Sequence, residues 1–196
     1  MDYSKPSRPE PRYVSDAVTI AAKILVVGHF AVGKTTFIGS LSEIAPLRTE
    51  ERMTQAAAHV DDLRGAPDKV TTTVALDFGR LTLSDDVVLY LFGTPGQQRF
   101  IQLWEDMARG ALGALILVDP VRLAESFPVI ELVEKYGLEY SIAVNSFTPD
   151  AYDEAEIREA LDLLPDTPVS YCDARSRESS GQALITLVRH LLSRTA

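Results

Sequence analysis

A single cysteine, Cys172, means that no disulfide can form within this chain, so a fold stapled by bridges is excluded. The lone thiol fits a reducing compartment, and its plainest role is that of a small buried apolar residue. Long apolar runs are missing too; none approaches the roughly 18 residues needed to span a bilayer. Basic residues are the scarcer sign, 19 Lys and Arg against 28 Asp and Glu, which gives a net charge of -9 and a pI near 4.8. That balance argues against a nucleic-acid partner, because binding a phosphate backbone needs a basic surface. The three histidines, His29, His59 and His190, are too scattered for metal-ligand spacing. Neither Met1-Asp2-Tyr3-Ser4 nor Ser193-Arg194-Thr195-Ala196 matches a signal peptide, myristoylation site or prenylation box. A cytoplasmic protein is expected, with any attachment to the inner face of a membrane supplied by a partner.

What is present is a chain of 196 residues, long enough to bury one sizeable core. Residues 1 to 18 carry Pro6, Pro9 and Pro11 among mixed charges and read as a mobile tail, leaving 19 to 196 as one domain. Within it, Gly28-His29-Phe30-Ala31-Val32-Gly33-Lys34-Thr35 reads G-x-x-x-x-G-K-T, directly after the apolar run Ile24-Leu25-Val26-Val27. This is a P-loop. Its glycines let the backbone curl so that successive N–H groups face a phosphate, and the following helix aims its positive end at the same point. Lys34 carries the point charge, and Thr35 offers a hydroxyl to Mg²⁺.

The remaining pattern is that of an α/β sandwich. Ile20 to Val27 reads as a first strand and Lys34 to about Ile44 as the first helix. Residues 46 to 72 form a connection too long to be idle, with a short helix conceivable over Thr49 to Ala58 after a Thr cap. Val74 to Leu83 and Val87 to Phe92 are strands whose junction, Ser84-Asp85-Asp86, is short enough to require an antiparallel hairpin. Gln97 to Ala108 reads as a helix or ordered loop, Ala111 to Val118 as a strand, and Pro120 to Tyr136 as helical with Pro128 marking a kink or break. Tyr140 to Asn145 and Val169 to Cys172 are strands; Asp153 to Leu163 and Ser179 to Leu192 are helices. The sum is a six-stranded, mostly parallel sheet with one antiparallel strand and helices on both faces.

Ligands of such sheets bind at the carboxyl ends of the strands. The stretches there are Thr71-Thr72-Thr73, Gly93-Thr94-Pro95-Gly96-Gln97, Asn145-Ser146-Phe147-Thr148 and Cys172-Asp173-Ala174-Arg175. With Gly28 to Thr36, with Thr73-Val74-Ala75-Leu76-Asp77-Phe78-Gly79 and with Phe92 to Gln97, the chain resembles the Ras-like small GTPases, above all the bacterial conservon GTPases related to the gliding-motility GTPase. The resemblance covers about residues 20 to 193. It implies binding of GTP and GDP with Mg²⁺ through Gly28 to Thr36, slow GTP hydrolysis, and two switches whose partners are roadblock-type regulators and a sensor-kinase-like membrane protein. Thr73 is similar to the switch I threonine that meets Mg²⁺ and the γ-phosphate, and Gly96 and Gln97 to the switch II glycine and water-orienting glutamine. The latter role suits a carboxamide, which both accepts from and donates to a water. Thr73 as a plain strand residue and Gly96-Gln97 as a plain turn are the structural alternatives.

Two stretches depart from that family. Where an aspartate supports Mg²⁺ before switch II, this chain has Gly93. Centring the hairpin on Asp85 places Asp77 opposite Gly93, on the same face and about 5 Å away at Cβ, so Asp77 is the expected substitute metal ligand. A slip of one residue would turn it to the other face. In the base-reading run, Asn145 is kept but the lysine and aspartate are replaced by Ser146 and Thr148. Guanine selectivity then needs help from Asp150 or Asp173, with Phe147 against the base or in the core, and backbone N–H groups of Cys172 to Ala174 meeting the base oxygen. Arg48, Arg52 and Arg64 are candidates for a transition-state arginine, none singled out. Phe100 and Trp104 share a helix face that is either a partner surface or core. Two readings compete with the switch: a degenerate nucleotide-binding interaction module without hydrolysis, and a small P-loop kinase, for which this chain shows no evident arginine-rich lid.

Overall fold

The computed structural model describes residues 17–44, 47–52, 73–94, 101–146 and 152–195. Alternating segments give β1 (Ile20–Val27), α1 (Lys34–Leu41), β2 (Leu47–Arg52), β3 (Thr73–Thr82), β4 (Val87–Gly93) and α2 (Ile101–Ala108). They continue with β5 (Gly113–Val118), a 3₁₀ turn (Leu123–Ser126), α3 (Phe127–Lys135), β6 (Tyr140–Asn145), α4 (Glu154–Ala160), β7 (Val169–Cys172) and α5 (Arg177–Thr195). The sheet order is β2-β3-β4-β1-β5-β6-β7, with β1 parallel to both β4 and β5 at its centre.

Only β3 runs against the rest: it pairs antiparallel with β4 on one side and β2 on the other. The six strands expected are present, and β2 makes a seventh at the sheet edge. Thr49 to Arg52 therefore extends along β3 rather than starting a helix. The reason is tertiary: Glu and Arg favour helix weakly, and a full ladder to β3 outweighs a few tenths of a kcal/mol of propensity.

The strands at the centre are apolar on both sides because both sides are covered. One face carries α1 and α5, where Phe37, Ile38, Leu41, Ala183, Leu184 and Leu187 meet Val26, Leu91, Leu115 and Leu117. The other carries α2, α3 and α4, where Trp104, Met107, Ile130, Val133 and Ile157 meet Leu25, Val27, Ile116 and Val144. Trp104 is thus core, only 3% exposed, and of the two roles open to it the partner surface falls away. The stretch from Pro120 to Tyr136 is broken near Pro128, as expected: the 3₁₀ turn Leu123–Ser126 precedes α3, and Pro128 stands in the first turn of α3, where its missing N–H has no intrahelical partner to lose. A capping box, Asp153 with Glu156, opens α4. Among the described residues no helix is long and apolar enough to cross a membrane.

Candidate nucleotide site

The P-loop leaves β1 at the sheet's carboxyl end and enters α1. Gly28 and Gly33 have φ of +145° and +109°, and Ala31 sits at +62°, so three of six residues lie on the left-handed side that curls the backbone. A side chain at Gly28 would also meet the Leu117 carbonyl at 2.5 Å. Lys34 folds back over this curl, its Nζ donating to the carbonyls of Gly28 (2.8 Å) and His29 (2.7 Å). Burial pushes its ammonium down to about 8, with the Asp77 carboxylate pulling the other way. Thr35 and Thr36 are exposed in the first turn of α1.

Inside the loop the side chains divide. Phe30 is 67% exposed, whereas His29 is buried, with Nδ1 at 2.7 Å from the Phe30 carbonyl and 3.4 Å from Glu125. His29 thereby ties the loop to the segment before α3, a contact with no signal in the sequence.

The hairpin register is the one expected, Asp77 opposite Gly93 and Phe78 opposite Phe92. A Cβ on Gly93 would sit 3.0 Å from Asp77 Cβ, so the absent side chain makes room for this one. From that place the Asp77 carboxylate accepts a hydrogen bond from the Thr35 hydroxyl, across 42 residues of sequence. Because β3 is antiparallel, its first residue, Thr73, lies beyond Gly93 toward the P-loop end, paired with Arg52.

Among the described residues no group of three or more His, Cys, Asp or Glu gathers that could hold a metal ion. One carboxylate and one hydroxyl beside a phosphate loop still fit Mg²⁺, which is bound by one or two carboxylates, retains several waters and takes its other ligands from substrate phosphates.

Asn145 closes the far side. Its Nδ2 donates to the Val32 carbonyl (2.8 Å) and its Oδ1 accepts from the Ala174 N–H (3.0 Å), so one carboxamide joins the P-loop to the loop after β7. Cys172 and Ala174 turn their side chains into the core shared with α1 and α5, and burial pushes the Cys172 thiol up to about 12. Of the backbone N–H groups expected to meet a base oxygen, that of Asp173 donates to Ser179 Oγ and that of Ala174 to Asn145 Oδ1. Asp173 is held by Arg175, whose hydrogen bonds bring its carboxyl down to about 2. Gly96, Gln97, Phe147, Thr148, Asp150, Phe100, His59 and Arg64 lie outside the described residues, and of Thr73, Arg48 and Arg52 only the backbone is described.

Residues 26–149 match the sequence profile of a family described as "conserved hypothetical ATP binding protein". Over 137 residues the chain is 30% identical to the uncharacterised protein MJ1339 of Methanocaldococcus jannaschii, covering 69% of this chain and 76% of that one. The FeoB G-domain of Methanococcus jannaschii superposes with a TM-score of 0.60 at 11% identity, covering 88% of this chain and 98% of that one. At that identity the likeness is one of fold: a G-domain-like P-loop architecture.

Proposed function

The chain belongs to this family of conserved hypothetical ATP-binding proteins, and we propose that it is a nucleotide switch that binds a nucleoside triphosphate with Mg²⁺ and hydrolyses it slowly. The observation that carries the reading is the meeting of Asp77 and Thr35 at the head of the P-loop. A carboxylate brought there by strand register, where Gly93 leaves space, is what a metal-supported phosphate site needs and what a mere strand–helix turn does not. GTP is the triphosphate that the Ras-like resemblance suggests; the family's own description speaks of ATP.

In this reading Lys34 exchanges its two carbonyl partners for β- and γ-phosphate oxygens, and the N–H groups of the curled loop take the remaining charge. Asp77 and Thr35 would hold Mg²⁺, which would supply positive charge to offset that of the triphosphate. Gln97 orients the attacking water, while Thr73 and Gly96 order around the γ-phosphate and release when it leaves. The product is a change of surface rather than of metabolite. Roadblock-type regulators and a sensor-kinase-like membrane protein are the partners proposed, the latter bringing the chain to a membrane face.

Asp77→Asn tests this, since the amide keeps an acceptor for Thr35 but removes the charge. Triphosphate affinity in Mg²⁺ is expected to fall at least about tenfold, with little change in EDTA. Equal affinities of the two proteins under both conditions would end the metal role. Binding without phosphate release in the unaltered protein would favour the interaction module instead.

A further inference from the structure

The loop after β7 satisfies itself. Four successive N–H groups are taken: Asp173 by Ser179 Oγ, Ala174 by Asn145 Oδ1, Arg175 by Asp173 Oδ1 and Ser176 by the Asp173 carbonyl, all within 3.0 Å. The Asp173 side chain is equally engaged. Its Oδ1 accepts from Arg175 Nε at 2.9 Å and its Oδ2 from the terminal nitrogen at 2.7 Å, a fork closed over two residues of sequence.

With the Asp77–Thr35 pair on the β3 side of the P-loop, the remainder of a nucleotide held there would extend toward β6 and β7, where this fork stands. Ala174 is bonded to Asn145, and Asn145 to Val32 of the P-loop, so two hydrogen bonds separate the phosphate cradle from the residue beside Asp173. Guanine presents adjacent donors, its N1–H and 2-amino group, and a free carboxylate accepts from both. Adenine presents a bare N1 acceptor on that edge, which a carboxylate repels. A carboxylate already filled by a guanidinium does neither.

We propose that the Asp173–Arg175 clasp sets base selectivity: closed, it leaves the chain to bind purine nucleoside triphosphates by their phosphates, without preference for guanine, and opening it frees Asp173 to favour guanine. The inference rests on the nucleotide-binding reading, and it assigns Asp173 as the specificity-determining group and Arg175 as its restraint.

The test is a set of calorimetric titrations of the full chain with ATP and with GTP in Mg²⁺, using the unaltered protein, Arg175→Met and the double variant Arg175→Met with Asp173→Asn. The unaltered protein is expected to bind both nucleotides within about tenfold. Arg175→Met should raise the GTP-over-ATP affinity ratio by at least about tenfold, the lower worth of a hydrogen bond to a charged group. The double variant should return the ratio to its starting value. An unchanged ratio in Arg175→Met, a guanine preference above about a hundredfold in the unaltered protein, or a raised ratio that survives Asp173→Asn each overturns the clasp while leaving the phosphate site intact. Failure of every protein to bind either nucleotide overturns the phosphate site and the clasp together.

Discussion

Lys34 sits in its own loop with its charge partly stripped of water, and burial holds its ammonium at about 8 against an ordinary 10.5. The sign follows from linkage. Between those two values the unfolded chain binds more protons than the folded one, so this residue makes the ligand-free protein more stable as pH rises from about 8 toward 10.5. A bound triphosphate reverses the balance, because the neighbouring anion favours the ammonium. Binding at pH 8.5 should therefore take up a fraction of one proton, read as a slope of binding enthalpy against buffer ionisation enthalpy. At pH 6.5 that uptake should vanish, and Lys34→Met should lack it at both values. A slope that persists in Lys34→Met would place the proton on another group. None of this is visible in the motif, which names the lysine but not its solvation.

At the scale of elements the decisive fact is a register. Asp77 and Gly93 face each other across β3 and β4, so either strand could in principle carry the carboxylate. Exchanging them, Asp77→Gly with Gly93→Asp, should recover most of the Mg²⁺-dependent triphosphate affinity that Asp77→Gly alone loses. Gly93→Asp alone should be the least stable of the three in urea, by about 1–3 kcal/mol, since its new side chain meets Asp77 and Ile38 at 3.0 Å. Restoration absent from the exchanged protein would mean that the direction of approach from β3 matters, not the charge.

This register was legible because Ser84-Asp85-Asp86 leaves the hairpin little freedom and Asp is out of place inside a strand. The central strands were legible as local apolar runs, and the P-loop as a fixed glycine spacing directly after one of them. β2 was not: Leu-Arg-Thr-Glu-Glu-Arg has one apolar residue and no alternation, and its strand exists only through its ladder to β3. Nor was the Asp173–Arg175 fork, because a two-residue spacing in a loop carries no period to read. The Asn145 bridge is of the same kind, joining residues 113 and 29 positions away.

At the scale of the molecule, two apolar cores clamp one sheet, and every segment of the described site hangs from the same end of it: the P-loop from β1, Gly93 from β4, Asn145 from β6 and Asp173 from β7. A ligand that touches four segments at once exists only on the folded chain, so its binding energy adds to the stability of the whole. At a hundred times its Kd, a Mg²⁺-bound triphosphate adds about 2.7 kcal/mol, and with roughly 2–4 °C per kcal/mol for a domain of this size Tm should rise by about 5–11 °C. The same nucleotide in EDTA should give a smaller rise, and Asp77→Asn should show that smaller rise with or without Mg²⁺. If EDTA leaves the shift of the unaltered protein untouched, the carboxylate that register delivers to Thr35 serves the ligand-free fold alone, and the phosphates are held by the loop and Lys34 without a metal.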